Sequence, residues 1–144
     1  FKKRFILHPF YHYELYGIFL DSSLRAAIAT RIAEHNGSRV LRIVDFIGEI
    51  SILSDCGSAF QKLMAEQRLE YMDFWQCGIS PEVLARAGFH KVDPTGELIC
   101  PNYFEPFVAE NSRITCCVKG SLDESFIVCR ADGDQDRPND VSNL

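Results

Sequence analysis

The sequence predicts an α+β (mixed α/β) fold in which a mixed sheet is completed by a helical crossover. Three observations carry this. Asn36-Gly37 separates two apolar, β-prone runs, and that dipeptide is the strongest short-range hairpin signal. A helix-patterned stretch after Gly57 separates residues 39–47 from residues 69–77, and a helical crossover makes two such strands parallel neighbours with right-handed connection. Ser80-Pro81-Glu82 opens a second helix that Gly88 closes, following the preference for Pro at the first helical position and Gly just past the last.

Residues 5–20 are dense in aromatics, and from Tyr11 onward their composition favours a strand. Asp21-Ser22-Ser23 supplies a turn. Residues 24–34 fit helix or strand on periodicity alone, and the Asn-Gly turn after them makes them the antiparallel partner of residues 39–47. Residues 48–55 are a connection. A helix follows, with Ser54 or Asp55 as its cap, Gly57 and Ser58 in its first turn, and Phe60, Leu63 and Met64 at helical spacing. Residues 69–77 are nearly continuously apolar, which predicts a central strand. Further on, residues 97–100, 113–118 and 125–131 read as strands, residues 101–107 as a loop with two prolines, and residues 132–139 as a polar loop. The whole reads as one domain, 1–144, with a core at about 11–92 and a C-terminal strand-and-loop extension at 93–144.

Composition narrows the function classes. With 144 residues, 47% hydrophobic and 24% charged, the chain has ordinary globular usage, which excludes collagen, coiled coil and wholesale disorder. No apolar run approaches the ~18 residues of a membrane span. The net charge of −5 argues against nucleic acid and anionic membranes as partners. The acidity is local, with +1 over residues 1–72 and −6 over residues 73–144, and reads as a solvated surface. The six cysteines are scattered or vicinal (Cys116-Cys117), without a C-x-x-C pair or a His at zinc-ligand spacing. No metal site is therefore expected, and reduced thiols in a cytoplasmic setting are the simplest account. Asp132, Asp134 and Asp136 alternate as in calcium loops, but Arg137-Pro138 follows and no Glu comes where that loop needs one. The start at Phe1, with no signal-peptide pattern after it, reads as a piece of something longer.

Over about residues 11–89 the chain resembles the C-terminal two-thirds of the GCN5-related N-acetyltransferase fold. The likeness rests on the long hairpin, the strand-loop-helix at 40–63, the strand at 71–77, and the helix at 81–87 closed by Ala87-Gly88-Phe89. It implies a mixed, mostly antiparallel twisted sheet with two helices and extra C-terminal strands. It also implies acyl-CoA-dependent N-acyl transfer to a small amine or amino sugar, with acetyl-CoA as cosubstrate. In that family the first of the two parallel strands splays from the next. The splayed strand's backbone, here Phe46, Ile47 and Gly48, and the N-terminus of the following helix, here Gly57, Ser58 and Ala59, hold the pantetheine and the pyrophosphate. The helix end meets the physical requirement of small residues with free backbone N–H groups. The family's phosphate loop reads Gln/Arg-x-x-Gly-x-Gly/Ala, to which Cys56-Gly57-Ser58-Ala59 is loosely similar, and Leu84 stands where the family often carries a Tyr acid. Residues 101–107 and 131–139 resemble uncharacterised acetyltransferase-like proteins of bacteria.

Transfer from a thioester to an amine needs a base for the ammonium proton, an oxyanion donor and an acid for the thiolate. Ligands of open α/β sheets sit at the carboxyl ends of the strands, which makes Glu49 the first candidate base. Asp73, among Tyr71, Phe74 and Trp75, is the second, and Tyr103 is a candidate acid. Each has an ordinary counterpart: a surface carboxylate, a hydrogen-bonded structural carboxylate, and a packing aromatic between prolines. The alternative function is a non-catalytic ligand- or partner-binding module of the same fold. The partners that follow are a small-molecule amine, with no nucleic acid and no membrane; a homo-oligomer or an N-terminal partner domain stays open.

Overall fold

The computed structural model describes residues 2–104, 107–119 and 126–133. Its centre is a four-stranded sheet in the order β1 (Glu14–Leu20), β2 (Ser23–His35), β3 (Ser38–Gly48), β4 (Tyr71–Phe74). Two two-residue hairpins build the antiparallel part. Asn36 and Gly37 join β2 to β3 with φ of 50° and 85°, and Asp21 and Ser22 join β1 to β2 with φ of 48° and 63°. Positive φ at both central residues gives the turn whose twist matches that of the flanking strands. The predicted hairpin and the predicted parallel pair are both present, since β3 runs parallel to β4 and helix α1 (Gly57–Gln67) crosses between them. The fold is α+β, with a second pair of short strands, β5 (Gln76–Cys77) and β6 (Val128–Cys129), forming a sheet of their own.

One sheet face is closed by the helices. Ile28, Ile43 and Phe46 meet Phe60 of α1, Ile52 and Leu53 of a 3-10 turn (Ile50–Asp55), and Ala87 beyond helix α2 (Pro81–Arg86). Burying side chains of this size contributes roughly 1.5–3 kcal/mol each. Ser80 caps α2 by accepting a hydrogen bond from the Val83 N–H at 3.4 Å, and Gly88 follows at φ 89°. The other face carries two smaller clusters, one of Phe5, Ala29, Val44 and Ala131, the other of Ala33, Val40 and Phe104.

Five expectations are corrected. Residues 69–77 are not one central strand: β4 stops at Phe74, β5 belongs to the second sheet, and β4 is the edge of the first. The apolarity of that run serves two successive pairings, not burial on both faces. Neither Ser54 nor Asp55 caps α1; its N-cap is Cys56, without a side-chain hydrogen bond. Residues 97–100 form no strand, because the Asn111 side chain takes the place of a partner strand, accepting from Cys100 N–H at 2.8 Å and donating to Leu98 C=O at 2.7 Å. Residues 113–118 form none either; they are mostly exposed and pair with no strand among the described residues. The strand expected at 125–131 shortens to β6 and turns into a 3-10 segment, Arg130–Asp132. Ser125 and the stretch 134–139 lie outside the described residues. An unforeseen π-helical turn, Lys2–Ile6, places Phe5 in the core.

All six cysteines are free thiols. Burial pushes Cys129 up to about 12, with Asp45 adding to it, and burial also raises Cys56 and Cys100. Since the thiolate is the reactive form, iodoacetamide at pH 8 is expected to modify the exposed Cys77, Cys116 and Cys117 first. Cys56 and Cys129 should react only once denaturant is added; peptide mapping that finds Cys129 among the fast sites would contradict this geometry.

Candidate functional site

The parting of β3 from its parallel partner defines the site. Pairing runs from Val40↔Tyr71 to Ile43↔Phe74 and stops there. Beyond it, β3 continues to Gly48 with a bulge at Val44, where Ala29↔Asp45 follows Thr30↔Ile43. The other chain turns away at Trp75 and pairs through β5 with β6. Phe46, Ile47 and Gly48 thus lie on the stretch of β3 that has lost β4 as a neighbour.

That stretch is not bare. Cys129 is the register partner of Gln76, and its thiol also lies against the Phe46 N–H. The Phe46 N–H donates as well to Asp45 Oδ1 at 2.9 Å. Ala131 packs on Val44 and Ala29. Residues 128–132 therefore occupy the parting between β3 and β5. Asp45, Cys129 and Asp132 bring a ligand atom each to within 4.8 Å of one another. Both carboxylates are already engaged by backbone: Asp132 Oδ2 accepts from Cys129 N–H at 2.8 Å, and Asp45 Oδ1 accepts from Phe46 N–H. Burial, helped by Asp132, raises the Asp45 carboxyl above its usual range.

Gly57, Ser58 and Ala59 form the first turn of α1. The first helical bond is Phe60 N–H to Cys56 C=O at 2.9 Å, and no side chain caps the end. Ser58 and Ala59 are exposed. An uncapped, exposed N-terminus presents N–H groups and the positive end of the helix dipole to an anion. Asp55, next to the helix end, pairs with Arg86 at 3.7 Å across an exposed contact.

The three acid–base candidates fall in different places. Glu49 is exposed at the carboxyl end of β3, where it accepts from Ser51 Oγ at 2.7 Å and from the Arg25 guanidinium. Ser51 and then Arg25 hold its carboxyl below the usual range. Asp73 stands in register with Arg42, which stands in register with Arg31, so the three form a row across one face of the sheet. Its Oδ2 lies 3.4 Å from both Arg42 Nε and Arg130 Nη2, and those side chains are 1% and 3% exposed. Burial pulls the Arg42 guanidinium down to about 10 while Asp73 acts in the opposite direction. Tyr103 is half-buried, with its C=O accepting from Val108 N–H at 3.1 Å. The loop before it is fastened to the same arginines: Arg42 donates to the Asn102 carbonyl at 2.6 Å and to the Pro101 carbonyl, and Arg130 donates to Asn102 Oδ1. Arg42 also stacks over Phe104, its guanidinium carbon 4.7 Å from the ring centre.

Asp73 and the Tyr103 loop are thus brought together, whereas Glu49 is not with them. Asp73 is opposite Arg42, and the strand rise of about 3.3 Å per residue puts the end of β3 roughly 20 Å further along. The sequence reading missed Arg42, Arg130 and Asn102. The available signal was Arg42 itself, a charge inside the apolar run Val40-Leu41-Arg42-Ile43-Val44. A cavity of about 180 Å³, lined by Phe10, Tyr11, His12, Glu14, Arg31 and Ile32, lies at the start of β1, on neither the parting nor the α1 terminus. No helix among the described residues is long and apolar enough to cross a membrane. No family model, curated protein or solved structure matches the chain.

Proposed function

We propose that this chain is an acyl-CoA-dependent N-acyltransferase domain acting on a small amine or amino sugar, with acetyl-CoA as the acyl donor. The observation that carries the reading is the parting of β3 from β4 just before the helix that follows β3, which leaves strand backbone and an uncapped helix end on one chain segment. In this reading the backbone groups of Phe46, Ile47 and Gly48 pair with the pantetheine amides, and the N–H groups of Gly57, Ser58 and Ala59 receive the pyrophosphate. Glu49 is the candidate at the carboxyl end of β3 and takes the ammonium proton. Asp73 and Tyr103 serve on the opposite half of the sheet as supports. Six free thiols suit a reducing, cytoplasmic setting.

A second reading, a non-catalytic ligand- or partner-binding module, is favoured by a different observation. The Phe46 N–H is already satisfied by Asp45, with Cys129 buried beside it, and Asp73 is held by two arginines.

Thermal melting separates the two. Acetyl-CoA at a hundredfold excess over its dissociation constant is expected to add about 2.7 kcal/mol of stability, a rise of several degrees for a chain of this length. Desulfo-CoA should act alike, since binding does not need the sulfur. Ser58→Glu is expected to remove the shift, because a carboxylate at the first turn repels the pyrophosphate. The same carboxylate favours the helix dipole by about 0.3–1 kcal/mol, so loss of the shift cannot be ascribed to unfolding. Absence of any shift at millimolar acetyl-CoA would remove the enzyme reading and leave the module.

A further inference from the structure

We propose that the outer edge of β1 is a self-association surface, on which a second copy of this chain continues the sheet in antiparallel register about Gly17. The inference is independent of the acyltransferase reading. β1 ends the sheet, and its inner edge is paired with β2 along its whole length from Glu14↔Thr30 to Leu20↔Ser23. Among the described residues, no backbone group other than those of β2 bonds to it. The irregularity in this pair falls on β2, where Arg25 is the extra residue between Ala26 and Leu24, so β1 keeps a regular edge able to pair again.

Natural sheets protect such an edge with Lys, Pro, inward-pointing charges or a bulge. The sequence Glu14-Leu15-Tyr16-Gly17-Ile18-Phe19-Leu20 has none of these. Its single charge, Glu14, sits at the strand's end and accepts from the Tyr16 hydroxyl. Tyr16 and Ile18 turn to the helix-covered face and pack on its core. Leu15 and Phe19 point to the opposite face and are 40% and 62% exposed, beside Leu24 at 60%. A Cβ at Gly17 would come within 2.8 Å of the Phe19 ring and 3.0 Å of the Leu24 side chain. The two side chains thus close over the glycine and make one apolar strip along the edge.

The sequence of the edge is complementary to itself. A two-fold axis normal to the sheet keeps like faces on one side, so only residues that share a face can stand opposite one another. Centred on Gly17, all seven residues pair: Glu14 with the partner's Leu20, Leu15 with the partner's Phe19, Tyr16 with the partner's Ile18, and Gly17 with the partner's Gly17. The Leu15–Phe19 and Tyr16–Ile18 pairs each join an aromatic to an aliphatic side chain, and Glu14, the one charge, faces Leu20, so no two charges are opposed. Centring on Tyr16 or Ile18 leaves two residues of each strand unpaired. An edge of this length buries less than the roughly 1,200 Å² of a standard interface, so the association is transient, in roughly the micromolar range.

Sedimentation of the 144-residue chain from about 1 to 300 µM is expected to show a monomer–dimer equilibrium. The double variant Leu15→Lys/Phe19→Lys sets two ammonium groups against each other at both Leu15–Phe19 contacts and should weaken association by about tenfold or more. Leu15→Glu/Phe19→Lys sets opposite charges at the same contacts and should recover it. Both positions are exposed, and unchanged circular-dichroism melting of the monomers at low concentration checks that the fold is intact. Ile47→Lys, on the same face but two strands inward and 62% exposed, should leave the dimer unchanged. A chain that stays monomeric throughout, a Glu/Lys variant no better than the Lys/Lys one, or a dimer lost on Ile47→Lys would each overturn the edge register.

Discussion

Replacing Asp73 by Ala is expected to cost the fold about 3–5 kcal/mol, the range for removing one partner of a buried ion pair. The reason is the charge balance of its surroundings. Arg42 and Arg130 are 1% and 3% exposed at their side chains and share one carboxylate oxygen, Asp73 Oδ2. Their other hydrogen-bond acceptors, the Pro101 and Asn102 carbonyls and Asn102 Oδ1, and the Phe104 ring under Arg42 are all neutral and do not cancel the charge. Without Asp73, two guanidinium groups face each other under the sheet. The loss approaches half the stability of an ordinary domain, and for this length lowers the melting temperature by roughly 10–20 °C. Asp73→Asn should cost nearly as much, because the shape is kept and only the charge is removed. An Asn variant that melts like wild type would show the arginines to be neutralised by other groups. A catalytic Asp73 would instead leave melting intact and lower the rate, so the same variant tests the sequence-based assignment of this residue as a base.

The readable parts of this fold are those that local chemistry decides. Asn36-Gly37 dictates a left-handed two-residue turn, and the hairpin register of β2 and β3 follows from it. Ser80, Pro81 and Gly88 bound α2 through a cap, a fixed φ and a positive φ, each a property of one residue. The misread parts depend on partners distant in the chain. Nothing in Tyr71–Cys77 announces that its first half pairs with β3 and its second half with residues 128–129. Likewise, residues 97–100 have strand composition, but an Asn side chain eleven residues on from Cys100 takes the hydrogen bonds a strand would have used. The candidate site divides in the same way. The small residues opening α1 were visible because a helix N-terminus needs only its own backbone. The arginine cluster was not, since Arg130 and Asp73 are brought together by the β5–β6 pairing.

Gly78→Ala is expected to have the second large effect, and it bears directly on what occupies the parting. Gly78 has φ 114°, and a Cβ there would lie 2.1 Å from the Phe126 carbonyl oxygen and 3.1 Å from its carbon. The obstacle is backbone, which cannot swing aside as a side chain does, so residues 126–129 must move. Gly88 supplies the control: at φ 89° it has open space around the same position. Gly88→Ala should therefore cost only the left-handed strain, about 1–2 kcal/mol, whereas Gly78→Ala adds displacement of a strand. The displaced strand carries Cys129, whose thiol is buried against the Phe46 N–H. Alkylation at pH 8 in the absence of denaturant should then reach Cys129 in Gly78→Ala but not in Gly88→Ala. Moving the strand also frees the backbone of β3 beyond Ile43. If residues 128–132 compete with pantetheine for that edge, Gly78→Ala should bind acetyl-CoA more tightly than wild type even though it is less stable. If acetyl-CoA shifts wild type but shifts Gly78→Ala less, the segment is part of the binding surface and not its competitor. Slow labelling of Cys129 in Gly78→Ala would show that the contact between Gly78 and Phe126 does not hold the strand in place.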